Sequence, residues 1–163
     1  MALLMIILVL SVLSGCQTTK LESKDVKRIT VIVIGYDPAS YVVFDANSDL
    51  LVNRYDFTGQ WTDGEFDFLA EGFPLGSAYQ SDRWKISSEK WEEAITAFND
   101  NDFLNLSSEL KGADVTDYIS YYVFIEGRGF QHKSGGYAVD LSKRSDCKRF
   151  TKVVNTVLEA FKK

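Results

Sequence analysis

Hydrophobic positions follow three regimes along the chain. Ala2 to Leu13 is an almost unbroken apolar run, Gln17 to Lys27 is polar and charged without an apolar period, and from Arg28 onward apolar residues recur in short blocks. Most of these blocks predict strands. Arg28 to Gly35 is β-branched and apolar on both faces, which suits a central strand. Ser40 to Asp45 predicts a second strand, after the turn chemistry of Gly35-Tyr36-Asp37-Pro38. Asn47-Ser48-Asp49 supplies the next turn, before a third strand from Leu50 to about Phe57. The opening of the body therefore reads as a meander.

Later blocks change period. Trp91, Ala94, Ile95 and Phe98 share one face of a helix that a serine of Ser87-Ser88 caps. Glu89, Glu92 and Glu93 favour the positive end of its dipole. Asn99-Asp100-Asn101-Asp102 should end it near Asp100, because short polar side chains compete for the backbone. Tyr118 to Glu126 is the strongest strand signal. Gly127-Arg128-Gly129 turns it towards Phe130 to Lys133, and Tyr137 to Leu141 predicts a last strand. Cys147, Phe150, Val154, Val157 and Phe161 then alternate by three and four, the stripe of a C-terminal amphipathic helix. The order of strands, helix, strands, helix predicts an α+β fold. It would be an antiparallel sheet of about five to seven strands with both amphipathic helices packed on one face.

Length and composition suit one domain, and no second is required. The chain has 163 residues, 45% of them hydrophobic and 13% aromatic, with two prolines. Residues 28–163 are expected to form the single globular domain, 16–27 a tether, and 1–15 a removable leader. The net charge is -5 and no sustained basic run exists, so nucleic acid is a poor partner.

The apolar run is too short to span a bilayer, since a spanning helix needs about 20 apolar residues. It ends in Leu13-Ser14-Gly15-Cys16, which resembles a lipobox: an apolar core, a branched residue, two small residues and a cysteine. The segment before it has no Lys or Arg, so only the amino terminus supplies positive charge. The resemblance implies cleavage before Cys16, lipidation of its thiol and a membrane as partner through that anchor. Each buried acyl CH₂ contributes about 0.8 kcal/mol, so two or three chains anchor stably. Gln17 stands where Asp resembles an inner-membrane retention signal, so in a diderm cell the implied address is the outer membrane, facing the periplasm. The stretch from Trp84 to Leu106, with Pro38 and Tyr41 upstream, also resembles an uncharacterised domain of small bacterial envelope lipoproteins. The cysteines that commonly flank the proline there are absent, and no known activity follows from the likeness.

With Cys16 acylated, Cys147 cannot form an intrachain disulfide, and its place on the apolar stripe predicts a buried thiol. His132 is the only histidine and reads as a solvent-facing hairpin residue. No His-based zinc set, no Gly-x-Ser-x-Gly elbow and no calcium loop can be assembled. Gly127-Arg128-Gly129 and Gly135-Gly136 are too short to cradle phosphate and read as hairpin positions needing positive φ. No cofactor, metal or catalytic residue is therefore assigned.

The segment from Phe57 to Trp84 stands apart. Asp63, Glu65, Asp67, Glu71 and Asp82 face only Arg83, a net charge of -4 out of the chain's -5. In an extended strand Asp63, Glu65 and Asp67 share one face while Phe66 and Phe68 share the other. One reading is a hairpin turned by Asp63-Gly64, with solvated acids and core aromatics. The other is a surface binding a protein or other cationic envelope partner through Trp61, Asp63, Glu65, Asp67, Phe73 and Tyr79. Three function classes follow: an envelope binding or interaction module, first in order; a small carboxylate-dependent hydrolase; and a structural envelope protein.

Overall fold

The pairing of the β-branched run decides the architecture. In the computed structural model, which describes residues 20–35, 40–58 and 78–163, that run is strand β1, Val26–Ile34. It is flanked on both sides by β2, Ser40–Asn47, and β5, Ser120–Gly127. With β3 (Leu51–Thr58), β4 (Ala78–Lys85) and β6 (Phe130–Tyr137), these form one six-stranded sheet in the order β4-β3-β2-β1-β5-β6. Every pairing is antiparallel. Helix α1, Ser88–Asp100, connects β4 to β5, and α2, Ser145–Ala160, ends the chain. The α+β class, the antiparallel sheet and the two helices stand as expected. Strand β4 is an addition: a segment read as acidic hairpin or binding surface contributes an edge strand from Ala78 to Lys85.

Both helices share a core with one face of the sheet. Val26, Ile29 and Val31 of β1, Ala46, Val52, Val123 and Ile125 meet the helical stripes there. Phe103 is its aromatic centre, edge-on to Phe98 at 4.8 Å and stacked near Phe150 at 6.4 Å. The other face is apolar at its middle as well: Ile32, Ile34, Tyr41, Val43 and Phe124 are all buried. On that second face the Arg28 Nε donates to Asp45 Oδ1 at 2.6 Å, and the Thr30 hydroxyl donates to the same oxygen at 2.9 Å. Burial acts against the guanidinium charge, but the Asp45 hydrogen bond and charge outweigh it and raise the Arg28 pKa.

The helix ends follow their local chemistry. Ser87 Oγ accepts from Lys90 N at 3.3 Å and caps α1. At the other end Asn101 Nδ2 donates to the Ala97 carbonyl at 2.9 Å, and Asp102 turns away with φ 50°. At the end of α2, Trp84 Nε1 donates to the Phe161 carbonyl at 2.8 Å, and Lys90 Nζ donates to Lys162 O at 2.6 Å. Two carbonyls beyond the helix's last turn thereby find donors from other elements.

Four expectations change. The domain begins before residue 28, because Leu21 is buried and a short 3-10 turn, Ser23–Asp25, leads into β1. The tether read from 16–27 therefore has its second half docked. Strand β6 does not stop at Lys133 but runs to Tyr137, through Gly135 and Gly136. These glycines are not at a hairpin turn. A Cβ on Gly135 would sit 2.3 Å from the Tyr121 carbonyl, and one on Gly136 would sit 2.4 Å from the Leu110 carbonyl. The chain beyond α1 runs along β6, with Leu110 N donating to Gly135 O at 2.8 Å and Ser134 Oγ donating to Ser107 O at 2.7 Å. It thereby covers an edge that would otherwise offer unpaired backbone groups. The last strand read from Tyr137 to Leu141 is instead a 3-10 turn, Val139–Leu141.

His132 is the fourth. Strand alternation puts it on the helix-covered side of β6, in register with Ile125, and its ring meets the edge of Phe103 at 5.2 Å. It is half-buried rather than solvent-facing, and its Nε2 is buried without a hydrogen-bond partner. Burial lowers its pKa, against an opposing pull from the backbone of Leu106 and Phe103. Cys147 is buried as its stripe position predicts, with Sγ 3.5 Å from the Lys111 carbonyl.

Candidate ligand pocket

Cys16, Trp61, Asp63, Glu65, Asp67 and Phe73, the residues singled out for lipidation and partner binding, lie outside the described residues. Tyr79 enters the sheet through its backbone, in register with Asp56 on β3. The acidic segment is nonetheless located at its two ends. It leaves β3 after Thr58 and rejoins at Ala78, and Phe57 pairs with both Tyr41 and Ala78. Tyr41 pairs with Ile34, Ile34 with Ser120, and Ser120 with Tyr137. One end of the sheet therefore carries both junctions of the acidic segment, the start of β5 and the end of β6. The chain enters β1 at the opposite end, at Val26.

A cavity of about 240 Å³ lies at the Tyr137 end, between α2 and the sheet, lined by Tyr121, Val139, Asp140, Phe150, Thr151, Val154 and Asn155. Its construction starts at Ala138, whose φ of 49° lies in the left-handed region. Such a backbone costs a non-glycine residue about 1 kcal/mol or more. Ala138 is held there from both sides, with its N–H donating to Ile119 O and its carbonyl accepting from Ala113 N, each at 3.0 Å. The bend buries Val139 and sets Asp140 beside α2.

Two tyrosines position the carboxylate. Tyr118 donates its hydroxyl to Asp140 Oδ2 at 2.9 Å, and its own backbone N–H donates to the Tyr137 hydroxyl at 2.8 Å. The second carboxylate oxygen, Oδ1, is buried and has no hydrogen-bond partner. The hydrogen bond to Asp140 is the main cause of the raised Tyr118 phenol pKa. Burial raises that of Tyr121, with the Asp140 charge adding to it. Thr151 already donates its hydroxyl to the Cys147 carbonyl at 2.8 Å.

Two-carboxylate chemistry needs a second acid facing the first, and Asp140 is the only acid among the residues lining this cavity. Among the described residues, no three His, Cys, Asp or Glu side chains gather as a metal site. A wider groove of about 430 Å³ between α1 and α2 is bordered by Glu93, Asp100 and Lys152. It contains no buried, unpaired polar atom among the described residues.

Sequence reasoning did not single out Asp140, Tyr118 or Tyr121. It placed all three in strands, and no local spacing marks a contact made across 22 positions between Tyr118 and Asp140. Comparison with protein-family models finds no match, and comparison with curated proteins finds none either.

Proposed function

We propose that this chain is an acylated lipoprotein of the bacterial envelope whose single domain acts as a binding module. The observation that carries the binding reading is the buried Asp140 Oδ1, unpaired in a small cavity whose walls mix apolar side chains with Thr151 and Asn155. A buried charged oxygen without a partner is costly, and an incoming donor removes that cost. The address rests on Leu13-Ser14-Gly15-Cys16 and on Gln17. Among the described residues no helix is long and apolar enough to cross a membrane; the lipobox resemblance assigns attachment to the lipid on Cys16.

Covalent reach adds a geometric consequence. Leu21, the first buried residue among those described, lies five positions after Cys16, and an extended chain covers at most about 18 Å over that distance. An acylated domain is thus held close to the lipid surface, with its partner arriving within a small volume around the anchor. The acids of the segment joining β3 to β4 favour a cationic partner.

Two measurements test this reading. Globomycin should block maturation, mass spectrometry should find acyl chains on Cys16, and Cys16→Ser should give an unprocessed or released chain. Maturation that ignores globomycin, or a wild-type chain without acyl groups, overturns the address. Crosslinked envelopes should yield a partner that Trp61→Ala with Phe73→Ala loses while the denaturation midpoint stays unchanged. Capture that persists in a folded double variant removes the assigned surface.

A further inference from the structure

The geometry points to a primary ammonium group as the ligand of the Asp140 cavity, an inference that rests on reading the cavity as a binding site and is independent of the lipid anchor. The carboxylate is half satisfied: a neutral hydroxyl from Tyr118 holds Oδ2, while Oδ1 is buried and unpaired. A cationic donor gives such an oxygen its strongest partner, because charge-assisted hydrogen bonds are roughly twice as strong as neutral ones. The wall beside it is suited to the same group. Tyr121 and Phe150 supply aromatic rings, and Val139 and Val154 supply aliphatic contact for a short apolar stem.

Size and competing charge narrow the choice. At about 240 Å³ the cavity is smaller than the usual small-molecule site, which starts near 300 Å³. It matches a single side chain or a small amine better than a whole metabolite. A planar guanidinium is a poorer fit, because its paired donors match a carboxylate with both oxygens open, and Oδ2 is already engaged. None of the residues lining the cavity is Lys or Arg, so it has no cation of its own among them. The ammonium can come from a lysine side chain of a protein partner or from a free small amine.

The test titrates the full-length purified chain, in detergent micelles, with n-butylammonium and with Nα-acetyl-lysine methylamide. The backbone amides of Asp140, Thr151 and Asn155 and the Asp140 carboxyl carbon are followed by NMR. Saturable shifts with both ligands, absent with n-butanol and with tetramethylammonium, are expected. A response to the lysine derivative at least about tenfold tighter than to n-butylammonium assigns the site to a protein side chain, and the reverse assigns it to a free amine.

Asp140→Asn should weaken binding about tenfold or more, as loss of a hydrogen bond to a charged group does. Asn155→Lys is the second variant. It lies on an exposed helical position at the cavity, where the new ammonium should occupy the carboxylate from within and abolish binding without unfolding the domain. Equal shifts with n-butanol, no saturable shift, a carboxyl carbon that reports a neutral acid at pH 7, or undiminished binding in either folded variant overturns the inference. Partner capture from envelopes together with no amine binding would overturn this inference alone and leave the binding-module reading standing.

Discussion

Asn99 holds both polar groups of Leu21: its Oδ1 accepts from the Leu21 N–H at 2.8 Å, and its Nδ2 donates to the Leu21 carbonyl at 3.0 Å. This side chain on α1 acts as a strand partner for one residue and fixes where the domain begins. Ser23 adds a hydrogen bond to Glu92 on the same helix. Asn99→Ala removes two partly buried hydrogen bonds and should cost about 1 to 3 kcal/mol. It should also speed tryptic cleavage at the exposed Lys24. An unchanged midpoint and unchanged cleavage would mean that the segment is held by Leu21 packing alone.

Gly112 marks a contact that no side chain can replace. A Cβ there would sit 1.9 Å from the Tyr137 carbonyl oxygen and 2.7 Å from the backbone of Ala138. Both obstacles are backbone leading directly into the 3-10 turn that carries Asp140. Overpacking of this kind costs typically 1 to 3 kcal/mol, and Gly112→Ala should reach the upper end, about 3 kcal/mol. Gly129 offers the internal comparison: it turns β5 into β6 with φ 77°, and nothing lies within 4 Å of its added Cβ. Gly129→Ala should therefore show only a backbone penalty of about 1 kcal/mol. Equal losses from both substitutions, measured by urea denaturation, would remove the close-approach explanation.

His132 should give the fold a pH dependence below neutrality. Its folded pKa is lowered from 6.5 chiefly by burial, so the unfolded chain takes up the proton first as pH falls. Above about pH 6.5 the ring is neutral in both states and contributes nothing. Stability is lost as pH drops through that value and levels off below the folded pKa. Comparing denaturation midpoints at pH 7.5 and pH 5 for wild type and His132→Gln isolates this contribution from that of the carboxylates. The variant should lose less stability over the interval, and identical losses would count against the assignment.

Phe150 belongs to both the core and the cavity wall. It is fully buried on α2 near Phe103. Phe150→Ala should cost about 3 to 5 kcal/mol, a large share of the roughly 5 to 15 kcal/mol available to a domain. Cys147, one turn earlier on the same stripe, should resist alkylation in the native chain and react once denaturant is added. A native thiol that reacts as fast as the denatured one would place this stripe at the surface.

The elements that the sequence determined are those whose signal is local. The three-and-four spacing from Cys147 to Phe161, the serine cap within Ser87-Ser88, the Asn47-Ser48-Asp49 turn and the two-faced β1 all depend on residues within a turn or two of each other. Their structures follow: a buried stripe on α2, a capped α1, a β2–β3 turn, and a strand with neighbours on both sides. Tertiary structure decided the rest, because the deciding partner was distant in the chain. Leu21 is docked by Asn99, 78 positions away, so a polar segment that read as tether became part of the domain. His132 looked exposed because its neighbours are polar, but the Phe103 beside it arrives from beyond α1. Asp140 sat in an apparent strand of alternating residues. Its role as a half-satisfied carboxylate required a left-handed Ala138, a glycine thin enough to pass behind it, and a tyrosine 22 positions earlier. Periodicity records which face of an element is apolar, but it carries no information about which distant backbone or side chain will meet that face.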